Sequence, residues 1–167
     1  IKLNLDKGFF FNFLVEKTNK PIYNFANVKI LLVEDNEFNR IVAQNSLQSL
    51  HCNVIEVENG LEALNLLKKE SFDIILMDIQ MPIMDGIEAT SIIRNVLQLD
   101  TPIIALTANA FKTEIEKCKN IGMNDYVTKP FEEDEFFETI SKYIVKKDKT
   151  ENDEEKNENS HYDLKNI

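Results

Sequence analysis

Five polar side chains in this sequence stand where strand-like runs end. Glu34 and Asp35 follow Val28 to Val33, Asp78 follows Ile74 to Met77, Thr107 follows Pro102 to Leu106, and Lys129 follows Asp125 to Thr128. Three carboxylates brought together repel, which raises their pKa values unless a cation offsets the charge, and hard oxygen ligands of this type suit Mg²⁺. A lysine and a hydroxyl at the same rim supply a point charge and a hydrogen bond for phosphoryl oxygens. The chemistry in view is metal-assisted handling of a phosphoryl group. Each residue alone has a plainer explanation: a strand-end Asp caps a helix or a loop, an acid pair is solvated, a Thr caps the next helix, and Lys-Pro marks a turn. Their coincidence at successive strand ends is what argues against those explanations.

Such a coincidence needs elements that deliver all five residues to one edge. Strand runs fall at 28–33, 53–57, 72–77, 102–106 and 125–128. Between and after them lie helical patterns: Phe38, Ile41, Val42 and Leu47; Leu61, Leu64 and Leu67 behind an Asn59 cap; Ile87, Ile92, Ile93 and Val96; Ala110, Phe111, Ile115 and Cys118, closed by Gly122; and Phe136, Phe137, Ile140 and Ile144. Strand and helix alternate five times. The pattern predicts an α/β fold, a parallel sheet with helices on both faces reached by right-handed crossovers. In open sheets of this kind ligands bind beyond the carboxyl ends of the strands, where all five polar residues would lie.

Composition narrows the function further. Lys and Arg total 19 against 29 Asp and Glu, a formal net charge of -10, which opposes a sequence-independent grip on nucleic acid. No apolar run approaches the length of a membrane span. Cys52 and Cys118 show no disulfide or metal spacing and fit reduced thiols in a cytoplasmic setting. Residues 1–27 stand apart from the repeat: Phe9 to Val15 has strand character and a polar linker follows to Pro21. Residues 146–167, rich in Lys, Glu, Asp and Asn, are expected to form a disordered acidic tail. A start at Ile1 rather than Met fits a piece of a longer protein.

The runs Leu32-Val-Glu34-Asp35-Asn36, Met77-Asp78-Ile-Gln-Met-Pro82, Asp85-Gly86, Leu106-Thr107-Ala108 and Lys129-Pro130-Phe131 resemble, in order, the receiver domain of two-component response regulators and hybrid histidine kinases. The resemblance spans residues 28–145. It implies a flavodoxin-like, doubly wound sheet of five strands in the order 2-1-3-4-5. It further implies that Asp78 is a carboxylate phosphoacceptor, that Asp35, Asp78 and the backbone carbonyl of Gln80 bind Mg²⁺, and that Glu34 acts mostly through coordinated water. Lys129 and Thr107 would contact the phosphoryl oxygens, and Tyr126 would turn inward as Thr107 moves, so that these two form the switch. Pro130 matches a position that takes a cis peptide in the family. Gln80 and Asn109 occupy positions that influence how long the phosphate survives.

On that resemblance the partners are a histidine kinase phosphohistidine domain and a histidine phosphotransfer protein, with no direct nucleic acid contact and no membrane contact by this segment. The run Leu5-Asp-Lys7-Gly8-Phe9 to Phe13 is similar to the closing strands of a histidine kinase ATP-binding domain, which would make the chain the C-terminal piece of a hybrid histidine kinase, itself membrane-attached or not. The chain would be a phosphoacceptor with slow self-dephosphorylation rather than a kinase. One alternative is a receiver-fold interaction module that is never phosphorylated. Another is an aspartyl-phosphate phosphatase, but enzymes of that type carry a second acid two residues after the nucleophile, where this chain has Gln80. A nucleotide-binding protein would need a glycine-rich loop after the first strand, and none is present.

Overall fold

The computed structural model describes residues 23–144; the expected N-terminal strand of aromatics and the expected acidic tail lie outside the described residues. The chain runs β1 (Lys29–Val33), α1 (Glu37–Gln48), β2 (Asn53–Val57), α2 (Gly60–Leu67), β3 (Ile74–Asp78), α3 (Gly86–Asn95), β4 (Ile103–Thr107), α4 (Lys112–Asn120) and β5 (Asp125–Thr128), closed by α5 over residues 133–144. All four strand pairings are parallel, and the sheet order is β2-β1-β3-β4-β5. This is the flavodoxin-like order. Consecutive strands can be parallel only if each connection crosses over a face, and the helices supply those crossovers.

Because side chains alternate across a strand, each central strand feeds two cores. Ile30, Leu32, Ile74, Leu76, Ile104, Leu106 and Val127 point to one side, where Ala43 and Leu47 of α1 and Phe136, Phe137 and Ile140 of α5 cover them. Leu31, Val33, Ile75, Met77, Ile103 and Ala105 point to the other, under Ala63, Leu64 and Leu67 of α2, Ala89 and Ile93 of α3, and Cys118 of α4. β3 and β4 are buried along their whole length. Such burial explains why they are apolar up to Asp78 and Thr107. The first core also takes in Phe25, with Tyr23 packed against it, just ahead of Val28.

Four helices differ from the pattern read in the sequence: Leu61 of α2 is exposed, Val96 lies just past α3 and is exposed, and α1 and α4 differ further. In α1 the inward residues are Ala43, Ser46 and Leu47, whereas Phe38, Ile41 and Val42 are exposed. The reason is angular: Leu47 follows Phe38 by nine residues, two and a half turns, so the two lie on opposite faces. One run of apolar residues was two stripes. In α4 the helix begins at Lys112, leaving Ala110 and Phe111 outside it, with Phe111 as an exposed N-cap that makes no side-chain capping bond. Asn59 caps α2 as read, accepting from the Glu62 amide, and Asp85 does the same for α3, accepting from the Glu88 amide. Gly122, at φ +102°, ends α4 in the left-handed region.

Candidate functional site

β1 and β3 are neighbours at the centre of the sheet, so the residues that end them emerge side by side. Glu34 and Asp35 leave β1 and Asp78 closes β3. One carboxylate oxygen from each of the three lies within 4.8 Å of the others. β4 sets Thr107 next along the same edge, and β5 brings Lys129, whose amide bonds to the Thr107 carbonyl at 2.7 Å. All five residues singled out in the sequence meet here. The Lys129–Pro130 peptide is cis.

The lysine is the hinge of the charge pattern. Its Nζ lies 2.9 Å from Glu34 Oε2 and 3.0 Å from Asp78 Oδ2. Burial alone would push the ammonium down, but the bonds to the two carboxylates outweigh it and hold Lys129 above its usual pKa. Asp78, 5% exposed, is pushed up by burial and by the charge of Glu34, against the downward pull of Lys129 and of the Gln80 amide, which donates to Asp78 Oδ1 at 3.3 Å. Three carboxylates against one ammonium leave a formal deficit of two charges. A hard divalent cation fits that deficit and that donor set.

The surroundings of the carboxylates divide sharply. Glu34 is 1% exposed and fully engaged: Oε2 accepts from Lys129, while Oε1 accepts from Asn39 Nδ2 at 2.9 Å and the Asn36 amide at 3.3 Å. Asp35 is exposed and lines an open cleft of about 490 Å³ together with Gln80, Met81, Pro82, Asp85, Glu114 and others. A smaller recess of about 90 Å³ lies directly over Asp78, walled by Gln80, Thr107, Ala108, Asn109, Glu114 and Lys129. It is the size of a small group rather than of a nucleotide. The Thr107 hydroxyl bonds to the Asn109 carbonyl at 2.9 Å and accepts from its amide at 3.1 Å, and Tyr126 is half-buried against the second core.

Three contributors escaped the sequence reading. Asn39 and Arg40, in the first turn of α1, hold the acid pair from behind, and Glu114 of α4 walls both the cleft and the recess. Polar residues on a helix ordinarily read as a solvated face, and only the spacing Asn36 to Asn39, that of an N-cap to its third residue, marked the turn as tightly built.

With this geometry in hand, comparison with known proteins is specific. A family model described as "Response regulator receiver domain" matches residues 30–141. Sensor protein GacS of Pseudomonas syringae pv. syringae is 40% identical over 119 residues, which are 69% of this chain and 13% of that protein. Hybrid signal transduction histidine kinase G of Dictyostelium discoideum is 40% identical over 129 residues, 75% of this chain and 4% of that protein. The chain thus spans a small fraction of these curated relatives. Among solved structures, the receiver domain of sensor histidine kinase PA1611 from Pseudomonas aeruginosa, described with a magnesium ion in its active site cleft, is 41% identical with a TM-score of 0.66, covering 72% of this chain and 99% of that one. The receiver domain of Ssk1 from Saccharomyces cerevisiae, solved with the histidine phosphotransfer protein Ypd1, is 28% identical with a TM-score of 0.69, covering 75% of this chain and 92% of that one.

Proposed function

From the premise that this chain belongs to the family of response regulator receiver domains, we propose that it accepts a phosphoryl group on Asp78 from a phosphohistidine. The observation that carries this reading is the convergence of Glu34, Asp35 and Asp78 with Lys129 bonded to two of them, beside a recess sized for one small group. Asp35, Asp78 and the Gln80 carbonyl would hold Mg²⁺, with Glu34 acting through bound water. When bound, the ion would offset the charge of the attacking carboxylate and the incoming phosphoryl group.

In the transfer, a carboxylate oxygen of Asp78 forms the new bond to phosphorus as the P–N bond to the donor imidazole breaks, and the imidazole leaves with the electron pair. Lys129 shifts part of its bonding from Glu34 and Asp78 to the phosphoryl oxygens. Thr107 turns its hydroxyl from the Asn109 carbonyl toward the same oxygens, and Tyr126 follows into the space released. Gln80, two residues after Asp78, is a weak acid–base group, so loss of the phosphate to water is slow.

The partners of this reading are a kinase phosphohistidine domain and a histidine phosphotransfer protein, and the parent is a hybrid histidine kinase. Phe38, Ile41 and Val42 support the partner assignment, because they leave an apolar stripe exposed on the helix that begins beside the acid pair. A helical donor presenting its histidine to Asp78 would cover that stripe. Among the described residues no helix is long and apolar enough to cross a membrane. A cytoplasmic site of action is part of the proposal.

The test is intact-mass analysis after incubation with Mg²⁺ and acetyl phosphate. One phosphoryl adduct is expected on the parent chain, lost with EDTA and absent from Asp78→Asn. An unmodified parent, or a mutant modified to the same extent, would overturn the assignment and favour an interaction module that is never phosphorylated.

A further inference from the structure

Two carboxylates on adjacent residues of a loop have no reason to hold one geometry unless something fixes the loop. Here the frame is visible. Arg40 Nη1 donates to the backbone carbonyls of both Glu34 and Asp35, each at 2.9 Å, and Arg40 Nη2 donates to Glu58 Oε1 at 3.0 Å. One planar guanidinium therefore fixes the peptide planes from which both acids project, and ties them to the end of β2. Asn39, the neighbouring residue, holds Glu34 Oε1 through its side-chain amide, while its own backbone amide is capped by Asn36 Oδ1 at 3.1 Å.

The charges make the frame selective. Glu58 matches the charge of Arg40, and Asn39 is neutral, so neither residue fills the deficit of two charges left by the three carboxylates and Lys129. A lysine in place of Asn39 would add a charge that competes with a cation. These two residues fix geometry and leave the charge for the metal.

We propose that Asn39 and Arg40 are positioning residues of the metal site, Arg40 by clamping the carbonyls of Glu34 and Asp35 and Asn39 by orienting the Glu34 carboxylate. The inference rests on the reading of Glu34, Asp35 and Asp78 as a Mg²⁺ site. Neither residue belongs to the three-carboxylate cluster or lines the recess over Asp78. Each acts through the acids it holds, so its loss weakens metal binding by the roughly 10-fold or more typical of groups that orient ligands.

The test is a Mg²⁺ titration of the full 167-residue chain, followed by ¹⁵N–¹H correlation NMR at the Asp35, Asp78 and Gln80 amides, beside thermal unfolding in EDTA. Asn39→Ala places the better helix former in α1, so loss of affinity there cannot come from a melted helix. Arg40→Lys keeps the charge and the aliphatic stem but cannot serve two carbonyls and Glu58 together. Both variants are expected to bind Mg²⁺ about 10-fold or more weakly, measured well below their unfolding temperatures so that a shift in melting does not enter the affinity. If the parent responds to Mg²⁺ and both variants match its affinity, the frame is structural only and this inference falls alone. If the parent itself shows no response to Mg²⁺, the metal-site reading falls and takes this inference with it.

Discussion

Asp78 sits in an environment that opposes its charge. Burial is the largest influence on it, Glu34 adds to the effect, and together they raise its pKa above its ordinary value despite Lys129. A carboxyl whose folded pKa exceeds its unfolded value favours folding only while protonated; the benefit is full below the unfolded pKa and lost as pH rises through the folded one. At neutral pH, ionised Asp78 therefore costs stability. Asp78→Asn should raise Tm in EDTA at pH 7, by roughly 2–5 °C, and the gain should vanish as pH falls from the raised folded pKa to the ordinary unfolded one. Thermal unfolding of both proteins from pH 7 to pH 3 checks this, and an unchanged or lower Tm for the variant at pH 7 would contradict it. The five residues of the site were legible because each lies at the end of a strand run. Asn39 and Arg40 were not, since their work is done through backbone carbonyls and a neighbour's carboxylate, which no spacing in the sequence records.

Among the elements, the turn from β3 into α3 has the least tolerance. The Gly86 amide bonds to the Ile79 carbonyl at 3.0 Å, pulling the start of α3 against the end of β3. A Cβ on Gly86 would fall inside the Asp78 carbonyl and 2.9 Å from Met77 Cγ. The obstruction is backbone, and the backbone is that of Asp78 itself. Gly86→Ala should cost about 3 kcal/mol or more and displace the carboxylate, so that chemical denaturation and phosphoryl yield fall together. A variant of parental stability and yield would show that the turn relaxes freely. The glycine was legible in sequence only as part of the Asp85-Gly86 pair, and its reason, close approach rather than a positive φ, was not. Helix faces were the weaker part of the reading. Alternation of strand and helix was plain for all five pairs, yet Phe38, Ile41 and Val42 were grouped with Leu47 in one helical pattern, whereas Ala43, Ser46 and Leu47 are the residues that face the core. Small residues face the sheet there, and apolarity alone cannot distinguish a buried stripe from an exposed one.

At the scale of the molecule, the parallel sheet separates stability from chemistry by placing them at opposite ends. Phe25, 4% exposed, packs in the first core, and its amide bonds to the Leu50 carbonyl at 2.8 Å, at the end of the sheet where β1 and β2 begin. The site lies where β1 and β3 finish. Five residues of strand at about 3.3 Å each put roughly 16 Å between the two ends. Effects at positions so far apart with no shared partners are close to additive. Phe25→Ala should therefore cost about 3–4 kcal/mol of unfolding free energy, as expected for a large aromatic removed from a core. At temperatures where the variant remains folded, its Mg²⁺ affinity and its phosphoryl yield on Asp78 should equal those of the parent. Denaturant unfolding measures the first quantity, and NMR titration with intact mass measures the others. Loss of metal affinity in proportion to stability would mean that the first core reaches the acid pair through α1, whose inner face packs on that core and whose first turn carries Asn39 and Arg40. Retained affinity with lowered stability would mean that the strands isolate the site from the far edge, so that the carboxyl ends can vary in charge and partner while the opposite end keeps the fold.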